Sequence, residues 1–134
     1  MKNPTSPSPN PHHKATQASA WVRRFAPLAP AGGAVLDVAC GSGRHARHFL
    51  GLGYDVTAID RDTSRVADLK DDARAEIIES DLEDGRPWPL AGRAFAAVVV
   101  TNYLHRLLLS TLRDAVGAGG VFIYETFARG NERF

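Results

Sequence analysis

The chain has 134 residues, 44% of them apolar, enough for one domain with a real hydrophobic core. Its 16 basic and 15 acidic residues leave a net charge of +1 with no basic block, which argues against nucleic acid or a membrane surface as partner. The longest apolar run, residues 95–100, is far short of a membrane span, and Cys40 is the single cysteine, so no internal disulfide can form and a cytoplasmic protein is expected.

Residues 1–14 carry Pro4, Pro7, Pro9 and Pro11 among Ser and Asn, and no apolar segment of the kind a signal peptide needs. They are expected to form a disordered tail, with His12 and His13 solvated and no metal bound. The domain is expected to run from residue 15 to 134. Ala18, Trp21, Val22 and Phe25 fall at i, i+3, i+4 and i+7, which predicts an amphipathic helix over residues 16–26, ended by Pro27 and Pro30. Trp21 is read as core packing.

Residues 34–39 are apolar except for Asp37, predicting a first buried strand that breaks at Gly41-Ser42-Gly43. A helix over residues 44–52 follows, closed by Gly53. Residues 54–59 predict a second strand ending on Asp60. Asp62 or Thr63 is expected to cap a third helix whose Val66, Leu69 and Ala73 face inward. Residues 76–80 predict a weaker third strand ending on Asp81.

Residues 82–94 contain Gly85, Pro87, Pro89 and Gly92 and leave no room for a normal helix. Residues 94–101 predict the strongest strand, residues 106–116 a helix closed by Gly117, and residues 121–126 a fifth strand. Strands alternating with helices predict an α/β three-layer sandwich around a parallel sheet. In strand order 3-2-1-4-5, the crossover to strand four must travel about 14 Å sideways and about 17 Å back. The 13 residues 82–94 extend to about 40 Å, so the crossing is possible without a helix.

In open sheets of this kind, ligands bind beyond the carboxyl ends of the strands. Residues 40–43, Asp60, Asp81 and the pair Thr101-Asn102 all stand there. Asp60 lies 19 residues after Gly41, where an acid can receive the two hydroxyls of a ribose. Gly41-Ser42-Gly43-Arg44-His45-Ala46 also fits G-x-G-x-x-G/A, so a nicotinamide dinucleotide is an alternative ligand. Asp37 shifts the balance. A buried acid there must be hydrogen-bonded, most simply to loop amides, and its charge suits an ammonium and a sulfonium better than a diphosphate.

Read together, these residues resemble the class I S-adenosylmethionine-dependent methyltransferases. Residues 35–43 look like that family's first motif, Asp60 its second-strand acid, Ser80-Asp81-Leu82 its third-strand motif, residues 95–102 its fourth and residues 119–125 its fifth-strand entry. Glu125-Thr126-Phe127 and the compact segment 83–89 look closest to small bacterial members similar to tellurite-resistance methyltransferases. The resemblance implies a Rossmann-like fold, S-adenosyl-L-methionine as cofactor and a small-molecule methyl acceptor. It also implies roles. Ala39, Gly41 and Gly43 approach the methionine part, with Asp37 near its amino group. Asp60 holds the ribose and Arg61 flanks the adenine. Asp81 bonds the adenine amine and Leu82 packs on the ring. Thr101, Asn102 and Tyr103 line the floor below the sulfonium. Trp88 is either a ring near the adenine or core packing.

Methyl transfer from an activated sulfonium depends chiefly on alignment, so no catalytic residue is assigned; Tyr103 and His105 stand near enough in sequence to reach an acceptor. Cys40 has no evident base, and His45 and His48 are read as helix-face residues. Members of the family normally continue past strand five with a helix and an antiparallel strand pair. A chain lacking these is expected to be C-terminally truncated, with Val121, Phe122 and Ile123 poorly covered and strand five open to self-association. A methyltransferase-like interaction domain without turnover is the third reading.

Overall fold

The computed structural model of the chain describes residues 17–101 and 106–125. Its elements are α1 (Ala20–Phe25), β1 (Ala34–Val38), α2 (Arg44–Gly51), β2 (Asp55–Asp60), β3 (Ala75–Glu79), β4 (Phe95–Thr101), α3 (Leu109–Asp114) and β5 (Val116–Glu125). Short 3-10 segments occupy Ala26–Leu28, Ser64–Asp71 and Arg106–Leu108. The strands form one five-stranded sheet in the order β3-β2-β1-β4-β5, and every pairing is parallel. This is the expected three-layer α/β sandwich.

β1 and β4 lie at the centre and are apolar on both faces because both faces are covered. On one side Val35, Val56, Ala58, Ala97 and Val99 pack against Val22 of α1, Ala46 and Phe49 of α2, and Val66 and Leu69. On the other, Leu36, Val38, Ile59, Val98 and Val100 pack against Leu90, Leu108, Leu112 and Ala115. Residues 80–94 make the crossing from β3 to β4 without a helix, and Leu90 anchors it in that second cluster.

Several local expectations give way to stronger local chemistry. α1 starts at Ala20, later than the apolar spacing indicated, because Ser19 is its cap, Oγ accepting from Val22 N–H at 3.1 Å. Ala18 therefore precedes the helix, the inward position falls to Val22, and Trp21 is displaced to the outside. Trp21 is 44% exposed and lies edge-on to Phe25 rather than in the core. The third helix is a 3-10 segment, not an α-helix. It is broken by a kink at Val66, whose φ is −119°; Val66 and Leu69 are buried and Ala73 is exposed. Thr63 makes no cap to this helix. Its N–H and hydroxyl both donate to Glu79 Oε1, at 3.1 and 2.9 Å, while Asp62 Oδ1 accepts from Ser64 N–H.

Val116 opens β5 instead of ending the preceding helix. Phe95 N–H donates to Ala115 O at 2.8 Å, and Phe95 pairs with Val116. The ladder then jumps, since Ala97 pairs with Val121, so residues 117–120 bulge out. A Cβ on Gly120 would stand 2.8 and 2.9 Å from the carbonyl oxygens of Ala96 and Phe95, which restricts that position to glycine. β5 is better covered than expected. Ile123 is 3% exposed and joins the cluster containing Ala18 and Val22, and Phe122 and Tyr124 pack toward the opposite face. Among the described residues, no helix is long and apolar enough to cross a membrane.

Candidate functional site

The carboxyl ends of the strands surround a cavity of about 690 Å³. β1 contributes Ala39, Cys40, Gly41 and Ser42; β2 contributes Asp60, Arg61, Asp62 and Arg65; β3 contributes Ser80, Asp81, Leu82 and Glu83. Thr101 closes the β4 side, and Arg44 and His45 enter from the first turn of α2. Seven of the ten residues expected to hold a cofactor are therefore together: Ala39, Gly41, Asp60, Arg61, Asp81, Leu82 and Thr101. Asp37 and Gly43 lie beneath the turn and do not line the cavity. Asn102 falls outside the described residues, as do Tyr103 and His105.

The turn owes its shape to three residues with left-handed backbones. Gly41 and Gly43 have φ of 56° and 80°, and Ala39, at 57°, is the one non-glycine among the described residues with positive φ. A Cβ in that region costs about 1–2 kcal/mol, so the chain holds strain at the mouth of the site. Apolar patterning carries no mark of this at Ala39.

Two amides of the turn are already engaged, one of them by an acid. Asp60 Oδ2 accepts from Gly41 N–H at 2.8 Å, and its Oδ1 accepts from Asp62 N–H at 3.0 Å. Gly43 N–H donates to Cys40 O at 2.8 Å. Gly43 is the N-cap of α2 and has no side chain to cap with, so the missing acceptor comes from the sheet. Asp37 Oδ2 accepts from Ala46 N–H, in the first turn of α2, at 3.0 Å. The partner is thus a helix amide, not a loop amide as anticipated. Asp37 Oδ1 is buried with no partner, and burial pushes this carboxyl up to about 7; Asp60 adds to the rise, while Ala46 N–H and Arg44 oppose it.

Both signs of charge line the cavity. Asp60, Asp62, Asp81 and Glu83 face Arg44, Arg61 and Arg65, and the Arg65 guanidinium lies 3.3 Å from where a Cβ on Gly41 would be. Cys40 is buried, and desolvation, reinforced by Asp37 and Asp60, pushes its thiol up to about 12, so it is no nucleophile at neutral pH.

His45 is more than a helix-face residue. It is 3% exposed, and burial, with Arg44 and then His48 contributing, pulls it down to about 4. Its ring bridges Ser19 N–H and the Thr101 hydroxyl, each at 3.2 Å. Ser19 Oγ in turn donates to Glu125 Oε1 at 2.7 Å, and Arg44 Nη1 donates to Gln17 O at 3.1 Å. The segment before α1 is thereby tied to the rim, a contact 26 residues apart in sequence that no local pattern signals. Trp88 packs against the second core cluster and lines a smaller neighbouring cavity of about 320 Å³ with Arg86, Pro87 and Leu107.

Over residues 35–119 the sequence matches the family described as "Methyltransferase domain". No curated protein matches. Among solved structures, the glycopeptide N-methyltransferase MtfA complexed with (S)-adenosyl-L-methionine is 28% identical, with a TM-score of 0.58, covering 87% of this chain and 58% of that one. A TehB-like SAM-dependent methyltransferase from Corynebacterium glutamicum is 25% identical, with a TM-score of 0.58, over 75% of this chain and 58% of that one. The CcbJ methyltransferase from Streptomyces caelestis shares the fold at a TM-score of 0.65 and 20% identity, over 84% of this chain and 50% of that one. The chain thus spans one half to three fifths of the length of these three enzymes.

Proposed function

The chain belongs to the methyltransferase domain family, and from that premise we propose that it binds S-adenosyl-L-methionine in the β1–β4 rim cavity and transfers the methyl group to a small-molecule acceptor. The observation that carries this reading is the state of the glycine turn. A dinucleotide site offers its turn amides to a pyrophosphate. Here Gly41 N–H is bonded to Asp60 and Gly43 N–H to Cys40 O, and a carboxylate lies beneath the helix start. At Gly41 a diphosphate would meet an acceptor where it needs a donor. A ligand with an ammonium, a sulfonium, a carboxylate and a ribose suits the mixture of acids and arginines far better.

The residue roles follow in the same frame. Ala39 and Gly41 bring backbone close to the methionine part, with Gly43 setting the turn and Asp37 placing its carboxyl below the ammonium. Asp60 keeps lone pairs on both oxygens for the ribose hydroxyls after serving Gly41 and Asp62. Arg61 flanks the adenine, Asp81 accepts from its amine and Leu82 packs on the ring. Thr101 forms the floor, and Asn102 belongs to it by sequence. When bound, the cofactor supplies an already activated methyl group, so the protein's task is to hold donor and acceptor in line and keep water out. A lone thiol with no disulfide partner suits a reducing cytoplasm, and the outer edge of β5 is the place where a second copy would pair.

Titration calorimetry with S-adenosylhomocysteine and with NADH tests the cofactor. Binding of the first and no heat from the second is expected. Tight NADH binding without S-adenosylhomocysteine binding overturns the reading.

A further inference from the structure

The hydrogen bonds around His45 fix the position of every proton but one. A backbone N–H can only donate, so the Ser19 amide, 3.2 Å from Nε2, requires a lone pair there. A neutral imidazole that accepts at Nε2 carries its proton on Nδ1. The 3.2 Å contact to Thr101 therefore runs from Nδ1–H to Oγ1. Upstream, Ser19 Oγ accepts from Val22 N–H and gives its own proton to Glu125. Downstream, the Thr101 proton has no acceptor among the described residues, and Thr101 borders the cavity. Receiving from His45 occupies one lone pair of Oγ1 and leaves its proton free to be given on the cavity side.

We propose that His45 is a positioning residue, holding the Thr101 hydroxyl as a hydrogen-bond donor into the cavity, directed at an oxygen of the bound S-adenosyl ligand. The O–H can be given only to an acceptor, so it serves a carboxylate or a ribose hydroxyl of the ligand and not its ammonium or sulfonium. The arrangement also explains why a histidine is buried at this position without a charged partner. Only a neutral ring can accept from a main-chain amide on one edge and donate to a side chain on the other, and burial keeps the ring neutral. The inference rests on the cofactor reading above.

Two amides separate the two edges of the ring. Asn at position 45 places a donor where Nδ1 was, and Gln places an acceptor where Nε2 was. Binding of S-adenosylhomocysteine is measured by calorimetry for the wild type, His45→Asn, His45→Gln, Thr101→Val and the His45→Gln/Thr101→Val double variant. Thr101→Val and His45→Gln should each weaken binding about tenfold. The double variant should be no weaker than Thr101→Val alone, and His45→Asn should keep near wild-type affinity although its tie to Ser19 is lost. Equal losses in both His45 variants, additive losses in the double variant, or unchanged affinity in Thr101→Val overturn the inference and leave the cofactor reading standing. A wild type that does not bind S-adenosylhomocysteine overturns both. Nitrogen-15 NMR of the wild-type ring is independent of how the variants fold: a Nδ1–H tautomer at pH 7 is expected, and a Nε2–H tautomer refutes the proposal.

Discussion

Asp37 lets one substitution weigh the cost of the acid beneath the turn. Its carboxyl is fully buried, with one oxygen bonded to Ala46 N–H and the other unpartnered, and it titrates near 7 instead of 3.8. The folded state therefore holds this proton more tightly than the unfolded chain does. Between about pH 4 and pH 7 folding takes up a proton, so stability falls as pH rises through that window and levels off above it. Full ionisation costs about 4 kcal/mol, and more than half of this appears between pH 5 and pH 8. Asp37→Asn keeps an oxygen for Ala46 N–H and removes the ionisation. Burial lowers His45 and His48, so their contributions run the opposite way, but they are common to both proteins and cancel in the difference. Urea unfolding of wild type and variant at pH 5, 6, 7 and 8 should show the variant gaining about 2–3 kcal/mol on the wild type across the series. Curves that stay parallel would refute the claim that the buried carboxyl carries the shift.

Asp60→Ala removes the acceptor for both Gly41 N–H and Asp62 N–H. The ligand-free protein should lose about 2 kcal/mol in urea unfolding, and S-adenosylhomocysteine should bind at least about tenfold more weakly by calorimetry. Reduced stability with unchanged affinity would make Asp60 a brace for the turn and nothing more. Gly43→Ala forces a side chain onto a φ of 80° and sets its Cβ 2.6 Å from Val66 Cγ1, so thermal unfolding should drop by several degrees. An unchanged melting temperature would mean that the turn relaxes freely.

The sheet was legible because burial on two faces leaves unbroken apolar runs, as in Val98-Val99-Val100, and glycines and prolines bound them. The rim acids were legible for a related reason, since a polar residue ending such a run must stand at a strand end. What local pattern missed was governed by contacts distant in sequence. At the start of the 3-10 segment Ser64–Asp71, Thr63 turns toward β3, its N–H and hydroxyl both donating to Glu79, and makes no cap. The start of α1 depends on Ser19, whose N–H and hydroxyl are engaged by His45 and Glu125 far along the chain. Trp21 looked like core because its spacing matched a helix that starts four residues earlier than the one that forms. Sequence spacing records the period of an element but not where its cap falls.

The acid under the turn and the ligand preference of the site share one cause. Gly43 must be glycine, because its backbone is left-handed and Val66 fills the space beside it. A glycine cannot cap a helix with a side chain, and α2 begins at the next residue. An acceptor for the first-turn amides has to come from another element, and Asp37 reaches up from β1 to supply it. That solution places an acceptor oxygen below the helix N-terminus, where an anionic ligand would otherwise be held by the helix dipole. Asp60, bonded to Gly41 N–H, repeats the substitution one turn away. Close packing between the glycine turn and the 3-10 segment thus converts an anion cradle into one suited to a cation-bearing nucleoside. A side chain at position 43 should therefore disturb the helix start and the ligand preference together.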